Sequence, residues 1–451
     1  MPARSAAGAP PQSSEHPRAL GNSEPSLTIE LHSEQRNVTL RPHELIAERA
    51  SPRALDLLEI AAVTLMTDIG LRRGENEAWL RDLSICVPVR DPPFWQQCSG
   101  ELERIVHFLT GDNVGFSFCA RPPAQPAKAK PEIPDVDCVC LLSGGIDSFA
   151  GAAALLKANR RPLLVSHSSG SPSVDGAQRE VTSSLARAFG ATLTRVDVFL
   201  GPSRVREPAT PFPAEDDREP SQRSRAFLFL AAAIAAADAA GVEGVYAFEN
   251  GILASHLPAT RARIGSLSTR GNHPRLLAMV AKLATRVLAR RVLVMNPFQN
   301  QTKAEIIRDV LRPTLSIDQI QKSVSCWQIG RTPRPCGGCV PCLLRRISML
   351  AAGLPDEAYM IDILADPLAH GDSDAFANLV ELLMLAADLR TRHDDELLLQ
   401  YPELVDGVDY GAPVSEVIGV YRRFADEVFS VVRQHFPATA ELIGACDVAG
   451  G

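Results

Sequence analysis

The sequence lacks any excess of positive charge: 46 Lys and Arg stand against 53 Asp and Glu, for a net charge of −7 over 451 residues. A general positive field that would attract nucleic acid is thereby excluded, although a local basic groove is not. The sequence also lacks an uninterrupted run of 18 apolar residues. The nearest approach, "AFLFLAAAIAAADAAGVEGVYAF" at 226–248, is broken by Asp238 and Glu243 and reads as a buried helix leading into a strand. Residues 1–26 are rich in Pro, Ser, Ala and Gly and have no apolar h-region, so a disordered tail is expected there, not a signal peptide. These absences point to a soluble, cytoplasmic protein with no membrane partner. There is no internal repeat, and the length calls for two or three domains.

What is present falls into three parts. Residues 27–120 mix strand signals ("LTIELH" at 27–32, "LSICVPV" at 83–89, "VGFSFCA" at 114–120) with helix signals at 51–70 and in 94–111. They read as a small α+β amino-terminal domain. Residues 121–135 hold five prolines and read as a linker. From 136 to 354, continuous apolar strands alternate with helix-length segments, the pattern of an α/β, doubly wound, mostly parallel sheet. From 355 to 451 the periodicity is helical only.

Strand "VDCVCLL" runs into Ser143-Gly144-Gly145-Ile146-Asp147-Ser148 and then into an alanine-rich helix pattern. Two glycines let the backbone turn tightly and come close to a ligand, and the N-terminus of a helix favours an anion. The loop matches neither G-x-x-x-x-G-K-[ST] nor G-x-G-x-x-G, and Asp147 beside a phosphate implies a bound Mg²⁺ or a loop-ordering role. By the rule that open α/β sheets bind ligands at the carboxyl ends of their strands, Ser166 and His167 (second strand) and Glu249, Asn250 and Gly251 (a later strand) are candidates. Glu249 suits an exocyclic amine of a purine-like substrate and Asn250 a carboxylate or carbonyl. Arg223 and Arg225 open the long helix and are candidates to face phosphates; His256 and His273 lie in the same variable region as Glu249.

Of ten cysteines, Cys86, Cys98, Cys119, Cys138, Cys140 and Cys446 are scattered and read as reduced structural thiols. The other four, Cys326, Cys336, Cys339 and Cys342, are spaced C-x9-C-x2-C-x2-C. Four converging thiolates suit a closed tetrahedral Zn²⁺ site, with an iron–sulfur cluster as the rival reading.

The Ser-Gly-Gly-x-Asp-Ser loop resembles the pyrophosphate loop of the N-type ATP pyrophosphatases. Together with "NPFQNQTKAEII" (Thr302, Lys303, Glu305) and "CGGCVPCLLRR" (ending in Arg345), it resembles the 7-cyano-7-deazaguanine synthase (QueC) family over about residues 136–350. The extra flanking parts, and "FENGILASHLPATRARIGSLSTRGNHP" in place of a Tyr-Pro-Asp-Cys-Arg-Pro segment, look more like the QueC-like proteins of anti-phage systems (the QatC type).

The resemblance implies cleavage of ATP between its α and β phosphates, with ATP, Mg²⁺ and Zn²⁺ as cofactors. The small-molecule partner would be a deazaguanine-type carboxylate, adenylated and then converted to an amide, a nitrile or a conjugate with a protein amine; other proteins of a defence operon would be partners. Residues 143–148 would hold pyrophosphate, with Ser166 and Arg225 on the nucleotide. Lys303 would neutralise charge on the α-phosphate. Two other classes remain open at this stage: a tRNA-thiolating enzyme, which needs a reactive cysteine near the loop and a basic surface, and a non-catalytic nucleotide-sensing subunit.

Overall fold

The computed structural model describes residues 27–74, 80–121, 130–168, 170–255, 257, 270–330, 332 and 334–442. The expected tail 1–26, most of the linker and His256 lie outside the described residues.

Six strands form the main sheet: β1 (Val38–Pro42), β4 (Cys138–Leu141), β5 (Pro162–Ser168), β6 (Arg195–Pro202), β7 (Gly244–Tyr246) and β8 (Leu293–Met295). Two more, β2 (Asp82–Val89) and β3 (Asn113–Ala120), pair parallel in a small sheet of their own. The main order is β1-β6-β5-β4-β7-β8, parallel throughout except for β1. The first strand of the alternating region, β4, thus lies centrally, with its successors on both sides. That places a topological switch at its carboxyl end, where a doubly wound sheet opens a crevice.

The strands read as continuous apolar runs because both faces are covered. Val139, Leu163 and Val165 point into one core, whereas Cys138, Cys140 and Leu164 point into another, following the two-residue period of a strand. Helix Ile146–Lys157 follows β4 and packs in the second core. Helix Arg225–Ala240 packs in the first; it is buried on nearly every side, as its predominantly apolar sequence requires.

Residues 27–120, expected as a domain of their own, are tied to the sheet in two ways. β1 extends it antiparallel to β6, with Leu40 opposite Leu200. Helix Pro52–Gly70 sets Leu57, Ile60 and Ala61 into the same core as Ala231–Ala237 of helix Arg225–Ala240. The strand expected at 27–32 is absent. The backbone of Thr28 and Glu30 is held instead by the Asn37 side chain, whose Nδ2 donates to the Thr28 carbonyl (2.7 Å) while its Oδ1 accepts from Glu30 N (2.8 Å).

Helices Val340–Ala351, Asp374–Thr391 and Val414–His435 build a third core with Ile252 and Leu257. No described helix is long and apolar enough to cross a membrane.

Candidate active site and metal centre

The loop between β4 and helix Ile146–Lys157 is shaped by its own hydroxyls. Gly144 adopts φ +85°, a conformation open to glycine without strain, and its carbonyl accepts from Val324 N (2.9 Å). Ser143 Oγ accepts from Gly145 N (3.2 Å), and Ser148 Oγ donates to the Gly145 carbonyl (3.1 Å) while accepting from Ser143 N (3.2 Å). Gly145 is the N-cap and no side chain caps this helix, so the N–H groups of the first turn, Ile146 and Asp147 among them, are left for an anion.

Asp147 is buried, and its carboxylate meets two groups from distant strand ends. Oδ2 forms a close ion pair with Lys303 Nζ, and Oδ1 accepts from Asn250 Nδ2 (3.3 Å). The same Asn250 amide donates to Glu249 Oε1 (3.2 Å), and its Oδ1 accepts from Leu253 N (3.4 Å), capping the short helix that Gly251 begins. Burial, and then the facing Asp147 carboxylate, push the Glu249 carboxyl well above the usual carboxylate range. Asp147, Lys303, Glu249 and Asn250, read separately along the chain, thus form one buried cluster at the carboxyl edge of β4, β7 and β8.

Several supporting residues were not anticipated. Asn296, just past β8, grips the Glu249 backbone in both directions: Nδ2 donates to its carbonyl (2.8 Å), and Oδ1 accepts from its N–H (3.1 Å). The strand-end rule that singled out Glu249 would have found it. Lys303 is held in the first turn of a helix capped by Thr302 and Glu305 in a capping box. The carboxy-terminal helix Val414–His435 braces that turn: Thr302 Oγ1 donates to Glu427 (2.5 Å), and Arg423 pairs with Glu305 (2.7 Å). Tyr421 also donates to the Ile252 carbonyl (2.8 Å) beside Asn250. Nothing local marked these partners, which lie more than a hundred residues away in the chain.

Beside the loop opens a cavity of about 270 Å³ lined by Ser143, His167, Gln178, Arg225 and Phe229 among others. Burial, aided by Arg225, lowers the His167 pKa to about 4, and its Nε2 is buried without a partner. Ser166 and Arg223 behave differently from expectation. The Ser166 hydroxyl donates to the Leu142 carbonyl within the sheet (2.7 Å) and is not part of the cavity lining. Arg223 turns toward the amino-terminal part, donating to the Thr110 carbonyl (2.9 Å). His273 is a buried helix cap whose Nδ1 accepts from Arg275 N (3.1 Å), and burial lowers its pKa to about 4, so it stays neutral.

The four cysteines of the knuckle are buried, with their sulfurs within 4.8 Å of one another and those of Cys336 and Cys342 3.9 Å apart. A tetrahedron of thiolates around one Zn²⁺ has edges of about 3.8 Å, so the set fits a single ion and leaves no room for a multi-iron cluster. Backbone N–H groups of Gln328 and Cys336 donate to the Cys326 sulfur (3.3 Å each), and that of Cys339 to the Cys336 sulfur (3.4 Å), bonds that spread the charge of a thiolate and fix its direction. Gly337, at φ +88°, passes so close to the Ile361 carbonyl that a Cβ would lie 2.1 Å from it. Arg345, beyond the knuckle, is locked by a bidentate pair with Glu357 (2.8 and 2.9 Å) and by Ser323, a structural staple.

Residues 137–353 match the family model "Queuosine biosynthesis protein QueC". The 7-cyano-7-deazaguanine synthase of Cupriavidus pinatubonensis is 30% identical over 238 residues, covering 48% of this chain and 95% of that protein. The synthase of Thiobacillus denitrificans is 32% identical over 244 residues, covering 48% and 95%, and that of an Anaeromyxobacter strain 31% over 247 residues, covering 51% and 97%. The matched half carries the loop, the buried Asp147–Lys303 pair and all four cysteines, and the chain belongs to the QueC family.

Proposed function

We propose that this chain uses ATP to adenylate a 7-deazaguanine-type carboxylate, and that an amine, either ammonia or that of a protein, then displaces AMP. The observation that carries the reading is the buried pairing of Lys303 with Asp147 in the first turn of a helix whose N-terminus is open to an anion. Pyrophosphate would sit on the 143–148 loop, with the adenine side of the nucleotide in the cavity that His167 and Arg225 line. Lys303 would share its charge between Asp147 and the α-phosphate as negative charge grows there; removing such a contact typically costs about 10²- to 10³-fold in rate.

Glu249, held well above the ordinary carboxylate range by burial and by the facing Asp147, is suited to pair with the edge of a purine-like substrate. Mg²⁺ would neutralise the triphosphate, with the Asp147 carboxylate beside the loop as the hard oxygen ligand for it. Zn²⁺ in the closed four-sulfur site would be structural.

The tRNA-thiolation reading needs a reactive thiol, and the two cysteines nearest the loop oppose it. Cys138 and Cys140 are buried in β4, and burial pushes both thiols up, Cys138 to about 12. The parts flanking the matched half support a place in the anti-phage branch with protein partners, because a small-molecule synthase of this family has no need of them.

ATP–pyrophosphate exchange tests the proposal. Exchange should require a deazaguanine carboxylate and vanish in Asp147→Ala with the fold intact. No exchange with any such carboxylate would overturn the substrate. A mass gain on an operon-neighbour protein, after incubation with this chain, ATP and the carboxylate, would assign the acceptor as a protein.

A further inference from the structure

A second cavity, of about 590 Å³, lies outside the site just described and shares no lining residue with the cavity beside Ser143. One wall is the carboxyl half of helix Pro92–Thr110, which precedes the family-matched residues; the other is the segment 270–275. Phe108 projects between two arginines, with the guanidinium carbons of Arg270 and Arg275 at 4.8 and 5.1 Å from its ring centre.

The charges here are incompletely matched. Arg270 donates to the Phe108 carbonyl (2.9 Å) and reaches Asp406 only at 4.0 Å. The Arg275 guanidinium makes no hydrogen bond and no ion pair among the described residues, and the Nε atoms of both arginines are buried without partners. Arg104 and His107 add to the same wall, against the carboxylates Glu103 and Asp406. Burial depresses the Arg270 guanidinium from its ordinary value, against the pull of Asp406 and Glu403, and Arg275 adds to the depression. Both arginines are half-buried, and a partly desolvated guanidinium such as that of Arg275, without a carboxylate partner among the described residues, favours an anion beside it.

We propose that this cavity binds a phosphate oxyanion, gripped by Arg270 and Arg275 with Arg104 and His107 at its rim. Two guanidinium forks match tetrahedral oxyanions in bidentate fashion. The site adjoins the substrate region, because Asn272, between the two arginines, reaches the Glu249 carboxyl. A bound anion would steady that segment.

Calorimetry on the full chain, with a saturating non-hydrolysable ATP analogue present to fill the nucleotide cavity, provides the test. Inorganic phosphate and AMP are the probes. One phosphate site per chain is expected to persist under the analogue, and Arg275→Gln should weaken it about tenfold or more. Because that guanidinium makes no hydrogen bond among the described residues and meets only the Phe108 ring, the variant's melting temperature without phosphate should change little. AMP binding much tighter than phosphate would assign the anion to a nucleotide, and equal binding to free phosphate. If neither probe binds, or Arg275→Gln binds both as the wild type does, the proposal is overturned.

Discussion

The two clusters of this protein that carry chemistry are built in opposite ways. The four thiols sit within residues 326–342, and short spacers with a left-handed glycine bring them together. The acid–amine cluster joins Asp147 to a lysine 156 residues away, and to Glu249 and Asn250 on a third strand end. The first depends on local backbone geometry, and the second on the order of strands in a sheet. The same contrast holds for their electrostatics. Thiolates repel and need a metal, whereas the buried carboxylate already has its ammonium partner.

The largest expected effect lies on the local cluster. Cys339→Ser should empty the metal site, read as zinc per chain falling from one to near zero. It should also destabilise the chain by several kcal/mol, because a structural metal contributes folding free energy outright. A variant that keeps its melting temperature would show that the knuckle is not the structural pin its sulfurs suggest.

The distributed cluster should respond as a pair. Lys303→Met leaves the Asp147 carboxylate buried and unpaired, at a cost of about 3–5 kcal/mol in urea unfolding. Asp147→Asn combined with Lys303→Met should recover much of that stability while pyrophosphate exchange stays abolished. Additive losses in the double variant would break the view that these two groups answer one another.

The smallest effect concerns the brace on Lys303. Burial raises the Glu427 carboxyl to about 7, so it holds its proton in the fold well past the point where the unfolded chain releases it. Raising the pH from the ordinary carboxylate range through about 7 therefore favours the unfolded chain, and stability should fall across that window. Glu427→Gln should flatten the pH dependence of the melting temperature there; an unchanged slope would place its origin elsewhere.

Much of this was legible along the chain because the signals were periodic or local. The parallel strands announced themselves as apolar runs buried on both faces, and the loop as glycines and serines between a strand and a helix. The knuckle was legible as cysteine spacing. What was missed depended on pairing across the fold. β1 is five residues of ordinary composition, and only its partner β6 makes it a sheet strand. Ser166 and Arg223 were of the right type in the right place, but a neighbouring carbonyl claims each of them.

By itself, then, the amino-acid sequence determined which chemical groups are available and which local turns can form, since glycine conformations and thiol spacing act over a few residues. Only the tertiary structure decided which charges meet. Arg225 faces the cavity beside Ser143 whereas Arg223 turns to the Thr110 carbonyl, Glu249 feels Asp147, and helix Val414–His435 reaches back to hold the turn of Lys303. Distance and burial set the strength of every one of these interactions, and neither quantity exists until the strands are ordered in the sheet.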